Sequence, residues 1–294
     1  MKTDCAEITL RAYAKVNLFL DITGVLPSGY HSLNTIMQQI ELSDEVSISL
    51  SGGCGIKIFC DDARIPLGEG NIAFKAAAAF LKKLGENAEI FIDIKKHIPI
   101  EAGLGGSSAD GAAVLLGLNK LFGEPFTVSE LCEIGSVLGA DVPFCITGGT
   151  LACTGIGDCF TPTEPLPDCF LLVVKPEFNC STKSAYAAYD RCSKPRKADY
   201  SGFLDALESR SLKGVASRLY NVFEALYSDE RIGKIRTELL QSGALGACMT
   251  GSGSAVFGIF DKLETAKNAQ KSIPYTMKFL SKPLNTIENK TVMW

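Results

Sequence analysis

The chain opens in the two-residue period of a strand. Glu7-Ile-Thr-Leu-Arg-Ala-Tyr alternates polar and apolar, and an apolar run continues from Val16 to Ile22. Pro27-Ser-Gly is a turn, and Leu33 to Leu42 reads as the returning strand of a hairpin. Val46-Ser-Ile-Ser-Leu and Ile56-Lys-Ile-Phe alternate on either side of Gly52-Gly53, which predicts a second hairpin. The period then changes. Asn71 caps an Ala-rich helix that runs to Leu84 and closes at Gly85. Glu89 to Ile94 alternates as a strand. A Gly-rich loop follows, then an amphipathic helix from about Ser108 to Phe122, with Leu115, Leu118 and Phe122 on one face. Thr127, with Glu130 three residues on, predicts a capping box at the start of a short helix.

Thr161-Pro-Thr-Glu-Pro-Leu-Pro places three prolines in seven residues, which regular structure does not accommodate. A boundary there divides the chain into domains 1–163 and 164–294. Beyond it, Cys169 to Val174 reads as a buried strand and Ser181 to Cys192 as a helix. The region 200–229 reads as helices, and so does Ile232 to Leu240. Ala247 to Phe260 reads as two strands around a Gly-Ser-Gly turn, followed by a helix near 262–272 and a strand near 275–281. Strands mixed with helices in both halves predict an α+β fold. No internal repeat or low-complexity segment is visible.

Composition narrows the class. The 294 residues are 46% hydrophobic and 21% charged, as in ordinary globular proteins, which excludes wholesale disorder. The net charge is −4, which argues against nucleic acid or an anionic membrane as the main partner, since both reward a basic excess. The 11 cysteines are scattered without C-x-x-C spacing, and there are two histidines, His31 and His97. No zinc cluster is expected, and the cysteines read as reduced core residues of a cytoplasmic protein. No apolar run approaches the ~20 residues that a bilayer requires.

The sharpest chemical segment is Pro99-Ile100-Glu101-Ala102-Gly103-Leu104-Gly105-Gly106-Ser107-Ser108-Ala109. Glycines let a ligand approach the backbone closely, and the helix that follows offers unpaired N–H groups to a phosphate. The competing reading is an ordinary helix cap after a flexible turn, for which three Gly and two Ser in six residues are more than is needed. The segment matches neither G-x-x-x-x-G-K-[ST] nor G-x-G-x-x-G. Its cations must come from elsewhere. Lys96 precedes the loop, where a solvated strand face is the simpler reading. Lys15 and Asn17 interrupt an apolar strand, which makes a solvated face uncomfortable. Asp141, in Gly139-Ala-Asp-Val-Pro-Phe, is either a turn cap or a carboxylate able to accept a proton or orient a hydroxyl. Tyr30-His31 at the hairpin tip could stack on a planar ligand, and Thr250-Gly-Ser-Gly-Ser is either a plain turn or a second backbone nest for an anion.

Taken together and in this order, Ala14-Lys-Val-Asn-Leu-Phe-Leu, Gly29-Tyr-His-Ser-Leu, Asn71-Ile-Ala, Ala102-Gly-Leu-Gly-Gly-Ser-Ser, Gly139-Ala-Asp-Val-Pro-Phe and Met249-Thr-Gly-Ser-Gly-Ser resemble the GHMP kinases. The resemblance implies a two-domain α+β fold, with an N-terminal mixed-sheet ATP-binding domain and a smaller C-terminal α/β sandwich. It implies ATP and a divalent metal, magnesium, as cofactors. Lys15 and Asp141 would be the catalytic pair. Pro99 to Ala109 would wrap the ATP phosphates, with Asn71 and Lys96 near the adenosine. Within the family the similarity is to the branch serving non-mevalonate isoprenoid synthesis, whose small-molecule substrate is an alcohol carrying a cytidine diphosphate. Asn17, Tyr30 and His31 would face that cytidine, and Tyr186 would sandwich the cytosine from the other side. A homoserine or mevalonate type of kinase, or an inactive ligand-binding member, are the alternatives. Many members resembling this chain carry three Gly before the Ser pair. Here Ser107 replaces one of them, so either Ser107 or Ser108 is the candidate for metal or phosphate.

Overall fold

In the computed structural model, residues 6–27, 29–191, 198–226, 230–285 and 291–292 are described. The opening alternation folds as a long ribbon. β1 (Glu7–Val25) and β2 (His31–Ser51) pair antiparallel, from Glu7 opposite Ser49 to Val25 opposite His31. The register shifts between Tyr13 and Lys15 and again between Asn17 and Phe19. Such bulges re-aim side chains, and these two bracket Lys15 and Asn17, which the two-residue period places on one face of β1.

The second predicted hairpin does not form. β3 (Gly55–Cys60) is followed by α1 (Ile72–Leu84) and β4 (Glu89–Lys95), and β3 pairs with β4 in parallel. β4 then pairs antiparallel with β2, so it lies between β2 and β3. A helical crossover permits parallel neighbours, and alternation alone cannot name a strand's partner.

α2 (Gly106–Leu121) also differs from its expected amphipathic form. Residues 109–115 are all buried. A Cβ on Gly117 would lie 2.4 Å from Ile48 of β2, and one on Gly111 would lie 2.6 Å from Ile72 of α1. Small residues on both faces let the helix sink between the sheet and α1. Next come α3 (Val128–Ser136), with the capping box Thr127–Glu130 formed, and α4 (Val142–Thr147). β5 (Thr150–Thr154) pairs with β2, and β6 (Cys159–Pro162) pairs with β5. Pro162 thus ends a strand inside the proline-rich stretch expected to be irregular. It lies on a sheet edge, where a missing N–H is tolerated.

The rest of the chain runs β7 (Phe170–Lys175), α5 (Thr182–Asp190), α6 (Tyr200–Glu208), α7 (Leu212–Ser217), β8 (Tyr220–Asn221), α8 (Val222–Leu226), α9 (Glu230–Gln241), β9 (Gly246–Met249), β10 (Val256–Phe260), α10 (Leu263–Ser272), β11 (Met277–Ser281) and β12 (Thr291–Val292). The second sheet has the order β11-β7-β10-β9, with antiparallel neighbours throughout. β7 serves two cores with its two faces. Leu171 and Val173 join the core of the first sheet, while Leu172 and Val174 pack with Ile235 and Leu239 of α9 and Ala266 of α10. This explains why the strand is apolar at every position. β8 and β12 return to pair with β1, so the first sheet draws two strands from beyond residue 164.

Candidate active site

Asn17 ties the two halves together around Lys15. The Lys15 ammonium donates to Asn17 Oδ1 at 2.8 Å, and the Asn17 amide donates to Thr35 Oγ1 at 2.9 Å. The Asn17 backbone N–H meets Thr250 Oγ1 at 2.9 Å, and the Gly251 N–H meets Asn17 Oδ1 at 3.1 Å. Lys15 is 4% exposed, and its backbone N–H donates to the Leu104 carbonyl at 3.0 Å. A buried ammonium needs a counter-charge, and Asp141 Oδ2 supplies it at 3.3 Å. Asp141 stands at the cap position of α4 but makes no capping hydrogen bond. Its carboxylate turns to Lys15 instead, and it remains about a third exposed, open to a ligand.

The Gly-rich segment crosses in front of this pair. Gly103 takes φ 75°, and a Cβ there would lie 2.2 Å from the Thr250 carbonyl. Gly105 takes φ 71°, and a Cβ would press on Lys15 Cγ at 3.0 Å. Both positions therefore need glycine twice over, for conformation and for closeness. Gly105 caps α2 without a side-chain bond, which leaves the first amides of the helix for an anion. Glu101 also takes a left-handed φ of 52°, and its carboxylate accepts from Asn179 Nδ2.

A cavity of about 710 Å³ joins these parts. Lys15, Asn17, Asp141, Lys96, Pro99 to Ser108 and Tyr186 line it; Ala109, Asn71, Tyr30 and His31 do not. Ala109 is buried in the first turns of α2. Asn71 is occupied in capping α1: Oδ1 accepts from the Ala73 N–H, and Nδ2 donates to the Pro66 carbonyl. Lys96 is not on a solvated face. Its ammonium sits between Asp44 Oδ2 at 2.5 Å and Asp110 Oδ2 at 2.7 Å, and all three side chains are buried. Burial opposes the charged amine, yet Asp110 and Asp44 outweigh it, so the Lys96 pKa is raised. Burial, resisted by Lys96 and reinforced by Asp44, pushes Asp110 up to about 7.

On the cavity wall Tyr186 meets His31 with ring centroids 4.8 Å apart and planes tilted by 38°, and it stands edge-on to Phe223 at 4.9 Å. That spacing is ring-on-ring contact and admits no base between His31 and Tyr186. His31 Nε2 also meets Asp190 Oδ1 at 2.8 Å. Burial, and secondarily the Asp141 charge, raises the Tyr186 pKa. Tyr30 is 65% exposed. Sequence reasoning missed several polar residues of the site: Thr35, Asn179, and Asn221, whose amide donates to the carbonyls of Met249 and Gly251. Only a polar residue inside an apolar run marks Thr35 and Asn221, and nothing local marks Asn179. Among the described residues no group of three or more His, Cys, Asp or Glu could hold a metal by itself, and no helix is long and apolar enough to cross a membrane.

A mixed sheet carrying a glycine loop at a helix start, faced by a Lys–Asp pair, defines a phosphoryl-transfer architecture. The GHMP kinases N terminal domain model matches residues 71–149, and the GHMP kinases C terminal model matches residues 203–278. The chain belongs to the GHMP kinase family. Over 268 residues it is 43% identical to 4-diphosphocytidyl-2-C-methyl-D-erythritol kinase of Desulfitobacterium hafniense (strain Y51), covering 90% of each chain. It is 40% identical over 279 residues to the enzyme of that name from Clostridium tetani (strain Massachusetts / E88), covering 94% of this chain and 99% of the relative. A crystal structure of 4-(cytidine 5'-diphospho)-2C-methyl-D-erythritol kinase superposes with a TM-score of 0.80 at 28% identity, covering 94% of this chain and 99% of that one.

Proposed function

We propose that the protein transfers the γ-phosphoryl of ATP to a hydroxyl of 4-diphosphocytidyl-2-C-methyl-D-erythritol, giving the 2-phosphate and ADP. The observation that carries this reading is the 3.3 Å Lys15–Asp141 pair in one cavity with the open amides of α2. The names of the 40–43% identical relatives select the alcohol.

The glycine segment and the first turn of α2 hold the ATP phosphates through backbone N–H groups and the partial positive charge of the helix start. Asp141 orients the attacking hydroxyl and takes up its proton as the bond to phosphorus forms. Two of the three Lys15 N–H directions face Asn17 and Asp141. The third is left for the transferring phosphoryl, whose spread negative charge it stabilises. Asn17 and Thr250 fix the lysine's aim. Ser107, Ser108 and Asp141 all line the cavity, and their oxygens are the hard donors that would suit magnesium. A magnesium ion bound there with the ATP phosphates would neutralise charge on them. Tyr186 lines the cavity and offers aromatic surface for the cytosine, with His31 packed directly against its ring.

The test is ADP release with ATP and a panel of alcohols: 4-diphosphocytidyl-2-C-methyl-D-erythritol, homoserine and mevalonate. Turnover of the first alone is expected. Turnover of homoserine or mevalonate instead would move the chain to another branch. ATP binding without turnover of any alcohol would make it an inactive ligand binder.

A further inference from the structure

We propose that Lys175 is a positioning residue for the phosphate loop, acting on Glu101 through the side chain of Asn179. The proposal rests on the reading of residues 99–105 as the ATP cradle. Lys175 ends β7 and is 3% exposed. Its three N–H bonds meet three neutral acceptors: the carbonyls of Pro176 and Phe178, each at 2.8 Å, and Asn179 Oδ1 at 2.9 Å. Burial lowers its pKa. An ammonium taken from water and given only amide oxygens stands only if all three are held in place. It therefore fixes the whole turn 176–179.

The third acceptor makes this more than a local clamp. An ammonium can only donate, so Asn179 must present its oxygen to Lys175 and its NH₂ elsewhere. That NH₂ donates to Glu101 Oε2. Glu101 holds a left-handed backbone that side chains rarely adopt, two residues before Gly103. Asn179 and Glu101 both line the cavity. The same turn grips the second nest: the Phe178 carbonyl accepts from Ser254 Oγ at 2.6 Å, and the Ala255 N–H donates to the Ala102 carbonyl at 3.1 Å. A lysine serving only the turn after β7 would need the two carbonyls and no relay to the loop.

Asn179→Asp separates these roles. It keeps, and strengthens, the acceptor for Lys175, but it removes the donor to Glu101 and sets two carboxylates against each other. Adding Glu101→Gln restores a donor from the opposite side and returns the local charge to its original value. The readouts are the ATP dissociation constant, the KM and kcat of both substrates, the thermal midpoint, and amide hydrogen exchange of residues 100–105. Asn179→Asp should weaken ATP binding about tenfold or more, affect the alcohol KM less, speed exchange in 100–105, and leave the thermal midpoint unlowered. The double variant should recover ATP binding and exchange to within about threefold of the original protein. Lys175→Met, if it folds, should speed exchange in the same segment. Unchanged ATP binding and exchange in Asn179→Asp, or a double variant no better than the single, would overturn the relay. Failure of the unaltered protein to bind ATP would instead overturn the kinase reading, and the exchange comparison, which needs no nucleotide, would still decide the relay.

Discussion

Lys15 and Asp141 form one ion pair, and in the proposed reaction they work together, so their variants should not add. Asp141→Asn keeps size and hydrogen bonding while removing the charge, and should lower kcat about 10²–10⁴-fold with ATP binding retained. Lys15→Ala should do the same, and the double variant should be little worse than either single in steady-state assays. An Asp141→Asn enzyme near full activity would remove the residue from the chemistry. Gly105→Val forces a side chain into a left-handed backbone, a cost of about 1–2 kcal/mol, and presses it on Lys15 Cγ. Titration with ATP should show binding lost while the far-ultraviolet spectrum is kept. Lys15 and Asp141 were legible in the sequence because a charge inside an apolar run demands an explanation. The cost of burying it told of a partner, but not which one. Asn179 was not legible: it is exposed, polar and ordinary until Lys175 and Glu101 are placed on either side of it.

Helix starts were among the best predicted features, because caps are local. Thr127–Glu130 and Asn71–Ala73 form as the sequence required. Asn71 also shows how one residue can be claimed twice. The family resemblance assigned it to the adenosine, while in the fold its side chain accepts from the Ala73 N–H and donates to the Pro66 carbonyl. Asn71→Asp keeps the acceptor to Ala73 but loses the donor to the Pro66 carbonyl, and should lower the thermal midpoint less than loss of the whole side chain does. Asn71→Ala loses the cap, worth about 1 kcal/mol, and should lower the midpoint by about 1–2 °C. A rise in ATP KM in both variants, without that fall, would return Asn71 to the nucleotide. Strand partners were the poorest feature. β3 carried the alternation of a hairpin arm, yet it pairs across a helix with β4, because pairing is decided by a crossover that no window of six residues contains.

The Asp44–Lys96–Asp110 cluster joins β2, the end of β4 and α2 beneath the loop, so its titration bears on the whole molecule. The Asp110 pKa is about 7 in the fold against an ordinary 3.8. Between those values the native chain holds a proton that the unfolded chain has released. The contribution of Asp110 to stability therefore falls as pH rises through that window and levels above about 7. Asp110→Asn removes this titration, so the difference in thermal midpoint between the unaltered protein and the variant should shift against the unaltered protein from pH 4 to pH 7. A constant difference would place the titrating group elsewhere. The mixture of strands and helices that makes the fold α+β was legible from periodicity, but the return of β8 and β12 to β1 was not, since two-residue strands leave no pattern. The contact of Asn17 with Thr250 spans 233 positions, and this has a kinetic consequence. Closing so long a span is slow compared with forming ribbons and helices. During refolding from denaturant, circular dichroism should recover first and phosphoryl transfer last, with a lag that Thr250→Ala lengthens. Activity returning in step with the spectrum would mean that the lysine finds its aim before the second half of the chain arrives.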